Sequence, residues 1–220
     1  MIYIAHRGYT ENYPDNSLHA FKEAIYHGFQ MIEMDIQICK TREIVIYHDV
    51  FIDNKYICNM TYDELKPYNI VTLVDFYKEI DSSTISIYLD LKGGTDLIES
   101  LIGFFLRENI DTSNIYMASF NFKHLFLLSF YQNNLNRLDY KIGAITSNIF
   151  DRHMCGDLFN TLNFVCIEWS MLDAEMLYWC RQKGIQIFTY TCKNRHSYEC
   201  IMNYDVDGIV SDILLPPLNL

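Results

Sequence analysis

Two short apolar runs each carry charged residues at positions two apart. Glu33 and Asp35 stand in "MIEMDIQI", and Asp90 and Lys92 stand in "YLDLKGG". Because residues two apart in a β-strand face the same side of a sheet, each pair projects toward one point. Three carboxylates with open water positions suit Mg²⁺ or Ca²⁺, and too few His or Cys residues converge with them for a typical zinc site. The spacing therefore predicts one divalent cation held by Glu33, Asp35 and Asp90.

Two histidines and two cationic side chains accompany these carboxylates. His6 and Arg7 directly follow "IYIA", and His48 follows "EIVIY". Imidazole groups titrate near neutral pH, so two histidines can share the roles of general acid and general base. Arg7 and Lys92 supply the positive charge that a phosphate group needs, and Arg7 can bind it bidentately. A metal, two histidines and two cations at one site indicate phosphodiester chemistry.

The elements around these residues must bring them together. Short β-branched and aromatic runs alternate with segments of helical period such as "NSLHAFKEAIYHG", "DLIESLIGFFLREN" and "DAEMLYWCRQKG". The predicted strands span residues 3–6, 31–35, 85–91, 115–119, 141–145, 164–168, 186–191 and 208–210. Eight strands with intervening helices favour an α/β fold, a single (β/α)₈ TIM-type barrel over residues 1–220, with its catalytic groups at the strand exits.

One segment departs from this alternation. "EIVIYHD" follows the second strand after only a short turn at residues 40–42. We expect it to form a β-hairpin extension of the second strand and not a ninth member of the barrel. Pairing about residue 40 or 41 would place His48 opposite Glu33, at the exit of that strand.

Composition limits the partners and the compartment. The formal net charge of −11 argues against nucleic acid or an anionic membrane as an electrostatic partner. The seven cysteines form no C-x-x-C pair, which favours reduced thiols in an intracellular compartment. No apolar run approaches the ~20 residues of a membrane span, and the N-terminus lacks the regions of a signal peptide. We therefore expect a soluble cytoplasmic protein without a stable membrane anchor, of undetermined oligomeric state.

The motifs in their order resemble a known family. "HRGYTENYPDNSLHAFKEAIYHGFQMIEMDIQICKTREIVIYHD" is similar to the signature of the glycerophosphodiester phosphodiesterase (GDPD) family, which runs HRG, a P-E-N-T-like turn, E-x-D and HD. The likeness continues through "VTLVDFYKEI", "IYLDLKGG", "MASFN", "FTYTCKN" and "DVDGIVSD", so that it covers essentially the whole chain. The resemblance implies a barrel of the PI-PLC-like phosphodiesterase superfamily. It also implies metal-dependent hydrolysis of small-molecule glycerophosphodiesters to glycerol 3-phosphate and an alcohol.

The resemblance carries over only at matching positions. It implies these roles: catalysis by His6 and His48, phosphate binding by Arg7 and Lys92, metal ligation by Glu33, Asp35 and Asp90, and pocket lining by Asn16, Phe120 and Tyr190. Asp90 stands where most members carry Glu. Asp15 and Ser17 replace the usual Glu and Thr around Asn16, and Lys193 stands where Asn is common. These last three departures concern substrate contacts and not the reaction.

Two other functions remain open at this level. The same site could cleave a lysophospholipid as a lysophospholipase D, or a barrel of this kind could bind phosphodiesters without turnover. The residues also leave open the choice of Mg²⁺ or Ca²⁺, the histidine that acts first as base, and the order of attack. A cyclic phosphate could form by attack of a substrate hydroxyl, or water could attack directly.

Overall fold

The computed structural model describes residues 1–148 and 156–214, and strands alternate with helices along them. The strands are β1 (Ile2–Ala5), β2 (Met31–Ile38), β3 (Ile44–Ile46), β4 (Phe51–Ile52), β5 (Lys55–Tyr56), β6 (Val71–Thr72), β7 (Ser86–Leu91), β8 (Ile115–Ser119), β9 (Lys141–Thr146), β10 (Phe164–Glu168), β11 (Gln186–Cys192) and β12 (Gly208–Ser211). The α-helices are α1 (Leu18–Tyr26), α2 (Tyr62–Leu65), α3 (Leu73–Glu79), α4 (Asp96–Arg107), α5 (Phe122–Asn134), α6 (Ala174–Gln182) and α7 (Arg195–Ile201).

Eight of the strands close into a parallel barrel. Its order is β1-β2-β7-β8-β9-β10-β11-β12, and β12 pairs with β1 to complete the ring. These are the eight strands predicted from the sequence, with ends that differ by a few residues, so the TIM-type barrel is confirmed. Closure leaves no strand edge exposed within the ring. No helix in the described ranges is long and apolar enough to cross a membrane.

Local sequence signals set the helix boundaries. Ser17 caps α1, where its hydroxyl accepts a hydrogen bond from the Ala20 N–H, and the chain turns out of the helix before Gly28. Asp173 caps α6 in the same way, by accepting from the Met176 N–H. Among the described residues between β9 and β10, the connection contains a 3₁₀-helix over Gly156–Thr161 and no α-helix.

The hairpin extension lies outside the ring, as expected. β3 pairs antiparallel with β2, and β6 pairs antiparallel with β3. The pairing centre agrees with the expected residue 40 or 41, because Ile36 pairs with Ile46 and the pairing centres on residue 41. Continuing this pairing would set His48 opposite Met34, one residue away from Glu33. The strand pairing ends at Ile46, so the expectation that His48 lies opposite Glu33 is wrong.

The barrel interior is filled by the side chains at alternate positions of the strands, which point inward. It comprises Ile4, Met31, Tyr88, Ala118, Ile145, Phe164, Cys166, Phe188 and Val210. Gly143 makes room for the ring of Phe164, since a Cβ at that position would lie 2.3 Å from it. The other face of the strands packs against the helices in a larger apolar cluster, which includes Phe21, Phe76, Leu101 and Leu125. The packed interior supports the side chains at the strand exits.

Candidate active site

Along the barrel strands, the residues that face the interior change from apolar to polar at the carboxyl ends. In β1, β2 and β7 an interior apolar residue is followed two positions later by a polar one: Ile4 by His6, Met31 by Glu33, and Tyr88 by Asp90. One cavity at this end is lined by His6, Glu33 and Asp90, together with Phe120 and Tyr190. The barrel therefore brings together five of the side chains that the sequence singles out.

Three buried carboxylates form the centre of this site. Glu33, Asp35 and Asp90 are 3%, 1% and 8% exposed, and each offers a ligand atom within 4.8 Å of the others. Burial raises the pKa of Glu33 well above its ordinary value, and the charges of Asp35 and Asp90 raise it further. Burial also raises the pKa of Asp90, to about 6. Burial also tends to raise the pKa of Asp35. The charges of Lys92 and Arg7 outweigh this effect, so the pKa of Asp35 lies below its ordinary value.

Two cations flank the carboxylates. Lys92 Nζ lies 2.6 Å from Asp90 Oδ2 and 3.1 Å from Asp35 Oδ1. Arg7 Nε lies 3.0 Å from Asp35 Oδ2, close enough for an ion pair, although the N–H is not aligned for a hydrogen bond. Arg7 Nη1 reaches Asp15 at 3.0 Å. Three carboxylates face two cations, so the ionised site retains a negative charge that a divalent cation would offset.

The turn after β1 has a backbone that fixes Arg7. Arg7 and Gly8 have positive φ angles of 56° and 85°, and the Arg7 N–H donates to Glu33 Oε2 at 2.8 Å. A Cβ on Gly8 would lie 2.7 Å from the backbone of Ala20, so this position requires glycine. The Asn16 N–H donates to the Arg7 carbonyl at 2.9 Å. The left-handed backbone of a non-glycine residue is costly, and here the contacts around Arg7 hold it in place.

Asn16 was expected to line the pocket, but its side chain contacts the acidic cluster and is not among the residues that line the cavity. Its side chain is buried, its Nδ2 donates to Asp35 Oδ2 at 2.9 Å, and its Oδ1 accepts from the Asp35 N–H at 3.3 Å. Phe120 and Tyr190 do line the cavity, and their rings meet edge to face with centroids 6.2 Å apart. Lys92 Nζ lies 5.7 Å from the Phe120 ring centroid.

The two histidines occupy different surroundings. His6 Nδ1 lies 2.5 Å from Asp212 Oδ1, and the side chain of His6 is 20% exposed. His48 Nδ1 lies 2.8 Å from its neighbour Asp49, and its side chain is 43% exposed. His48 is near enough to Asp35 and Asp90 to act on their pKa values electrostatically. His6 is thus held within the barrel mouth, and His48 stands at its rim.

Two supporting residues were missed by sequence reasoning. Gln37 Nε2 donates to the carbonyls of Tyr47 and Asp49 at 2.7 and 2.8 Å, which fixes the backbone on both sides of His48. The signal for Gln37 was its place two positions beyond Asp35 on the same face of β2. Asp212 was missed as well, although it stands two positions beyond the interior residue Val210.

Another polar residue at a strand exit faces away from the site. Ser119 is buried, its hydroxyl donates to the Leu91 carbonyl at 2.9 Å, and it contacts His124 Nδ1 at 2.9 Å. His124 is fully buried and its Nε2 lies 3.2 Å from the Gly94 carbonyl. This pair supports the loop after β7, so its role is structural.

A second cavity adjoins the first at Tyr190. It is lined by Glu168, Trp169, Tyr190, Thr191, Lys193, Asn194, His196 and Ser197. Its residues lie at the carboxyl ends of β10 and β11 and in the segments that follow them, so it opens on the same end of the barrel. The two cavities share Tyr190, so they are neighbours at the mouth of the barrel.

The acidic cluster fits a divalent cation. Asp90 Oδ1 is buried and makes no hydrogen bond with any residue in the described ranges, although a buried oxygen of this kind is costly without a partner. Three carboxylate oxygens are the donors that Mg²⁺ and Ca²⁺ prefer, with remaining positions taken by water or substrate.

Comparison with known proteins agrees with this site. The sequence model of the Glycerophosphoryl diester phosphodiesterase family matches residues 6–214. A glycerophosphodiester phosphodiesterase of Caldanaerobacter subterraneus subsp. tengcongensis is 24% identical over 236 residues, which covers 96% of this chain and 93% of that protein.

Solved structures share the fold. A glycerophosphodiester phosphodiesterase from Parabacteroides distasonis superposes with a TM-score of 0.82 at 21% identity, covering 96% of this chain and 92% of that chain. A phosphodiesterase of Oleispira antarctica, solved in complex with the product sn-glycerol-3-phosphate, gives 0.82 at 19% identity, covering 96% and 93%. The family match over residues 6–214 agrees with the motifs from "HRG" to "DVDGIVSD", and the chain belongs to the glycerophosphoryl diester phosphodiesterase family of hydrolases.

Proposed function

We propose that this chain hydrolyses glycerophosphodiesters to glycerol 3-phosphate and an alcohol, with a divalent cation and two histidines. The observation that carries the proposal is the meeting of His6, Glu33 and Asp90 in one cavity. The product complex of the Oleispira antarctica relative, which has the same fold, supports the choice of substrate.

The cation would be held by Glu33, Asp35 and Asp90, and when bound it would supply positive charge to the phosphate oxygens. Lys92 and Arg7, which both make ion pairs with Asp35, would add to this charge. Because a phosphodiester gains negative charge in its transition state, cations fixed in advance lower the barrier without reorganisation.

The two histidines would move the protons. One imidazole takes the proton of the substrate's 2-hydroxyl as that oxygen attacks phosphorus in line. The other imidazole gives a proton to the leaving alcohol oxygen as its bond to phosphorus breaks. The resulting cyclic phosphate is opened by water with the two roles reversed. Direct attack by water on the diester is the alternative, and detection of the cyclic phosphate by ³¹P NMR during turnover distinguishes the two.

An assay of the purified protein tests the function. Glycerophosphocholine is supplied with Mg²⁺ or Ca²⁺, with and without a chelator, and release of choline and glycerol 3-phosphate is measured. We expect turnover that requires the cation. A parallel arm with lysophosphatidylcholine tests the lysophospholipase D alternative. Binding without release of product from either substrate under any metal would favour the non-catalytic binder and contradict the proposal.

A further inference from the structure

We propose that Asp212 positions His6 for proton transfer, an inference that rests on the function proposed above. His6 Nδ1 and Asp212 Oδ1 are 2.5 Å apart although the residues are 206 positions apart in sequence. An ionised carboxylate accepts a hydrogen bond and cannot donate one, so it selects the imidazole form that carries its proton on Nδ1. The other ring nitrogen, Nε2, then keeps its lone pair for a substrate proton.

The backbone of both residues is fixed by the barrel ring. Ala5 pairs with Ser211 where β1 meets β12, and the His6 N–H donates to the Ser211 carbonyl at 3.0 Å. The Asp212 N–H donates to the Cys192 carbonyl at 3.0 Å. The closing strand pair therefore sets the two side chains side by side, and His6 has a single partner that orients it within the described part of the chain.

A contribution to stability does not account for this contact. The side chains of His6 and Asp212 are 20% and 31% exposed, and ion pairs open to solvent contribute little to folding. At the opposite end of β12, Asp207 provides a contrast. Both of its carboxylate oxygens accept from Arg181 Nη1, at 2.9 and 2.7 Å, and it also accepts from the Ile187 N–H at 2.7 Å. Asp207 ties the chain together, whereas Asp212 contacts a side chain of the cavity.

Asp212→Asn and Asp207→Asn are the matched pair of variants, because each removes one negative charge at one end of the same strand. For Asp212→Asn we expect kcat to fall by on the order of 10²–10⁴-fold with KM and the melting temperature close to wild type. For Asp207→Asn we expect a lower melting temperature with kcat unchanged. Asp212→Glu restores the carboxylate and should recover part of the lost kcat.

A spectroscopic readout separates this inference from the proposed function. Two-bond ¹H–¹⁵N spectra of protein labelled in its histidines report which ring nitrogen of His6 carries the proton. We expect Nδ1 in the wild type and loss of that preference in Asp212→Asn, whether or not any substrate is turned over. An unchanged His6 tautomer in Asp212→Asn, or a wild-type kcat, would overturn the positioning role. So would losses of kcat and melting temperature that match those of Asp207→Asn.

Discussion

Asp90 presents its two carboxylate oxygens to different surroundings: Oδ2 accepts a hydrogen bond from Lys92 Nζ at 2.6 Å, whereas the buried Oδ1 has no partner in the described residues. Lys92 therefore occupies only one side of the carboxylate. The other oxygen is free to serve as a metal ligand beside Glu33 and Asp35.

Asp90→Asn should raise the metal concentration needed for half-maximal activity, because an amide oxygen is a weaker ligand than a carboxylate. Asp90→Glu restores the residue common in the family and should keep partial activity with an altered preference between Mg²⁺ and Ca²⁺. Mg²⁺ demands nearly ideal octahedral geometry, whereas Ca²⁺ accepts looser arrangements. Titration of activity with each metal measures both effects.

The control for this series is Asp96→Asn, which removes a half-exposed carboxylate paired with Arg42 on the surface. It should titrate like the wild type. If Asp90→Asn also titrates like the wild type, Asp90 is not a ligand and the third oxygen comes from elsewhere.

The stability of the metal-free protein should depend on the protonation of Asp90. Burial raises its pKa from an ordinary 3.8 to about 6, so the folded state binds this proton more tightly than the unfolded state does. Protonated Asp90 therefore increases the free energy of unfolding at pH values below 3.8, its ordinary pKa. This stabilisation is lost as the pH rises through the pKa of the folded state. The loss should be on the order of 2–3 kcal/mol for this group.

Urea unfolding in chelator at several pH values between 4 and 7 measures this effect in wild type and in Asp90→Asn. The variant should show a smaller decline with rising pH, since its side chain does not titrate. Saturating divalent cation should weaken the decline in the wild type, because the metal binds the ionised carboxylates. Parallel pH curves for the two proteins in chelator would contradict the raised pKa of Asp90.

His6→Ala and His48→Ala should each lower kcat by on the order of 10²–10⁴-fold while leaving the melting temperature near wild type. The two variants should differ when the leaving group is p-nitrophenol, which departs without a proton. Only the variant that lacks the general acid should then regain activity, which identifies the histidine that acts first as base.

His27→Ala is the control, since His27 lies at the end of α1 and pairs with Glu23 at 3.5 Å. It should keep the wild-type rate with both substrates. A wild-type rate in either of the other two variants would end the two-histidine mechanism.

Arg7→Lys should lower kcat/KM markedly, because a single ammonium cannot replace the planar fork of a guanidinium on phosphate. Arg42→Lys is a close control: Arg42 also has a positive φ angle, 75°, and also pairs with an aspartate, Asp96 at 3.1 Å. Steady-state kinetics on one glycerophosphodiester should separate the two variants. Equal kinetics for both would remove Arg7 from the site.

The sequence alone determined the barrel and the centre of its site. Alternating strands and helices predict the ring, because each βα unit must bury one strand face inside and the other under helices. The two-residue spacing of Glu33 and Asp35, and of Asp90 and Lys92, sets each pair on one strand face, a local property of extended backbone. The order of motifs from "HRG" to "DVDGIVSD" then indicated the family.

Contacts between distant segments were decided only by the tertiary structure. Asp212 meets His6 because the last strand of the ring pairs with the first, and no local pattern encodes that closure. The hairpin pairs Ile36 with Ile46, which is one residue off the alignment of His48 with Glu33 that turn length had predicted. Gln37 then fixes the backbone around His48. Local spacing fixes the face of a strand on which a residue lies. The partner across that face depends on strand register and ring closure, which the whole chain sets together.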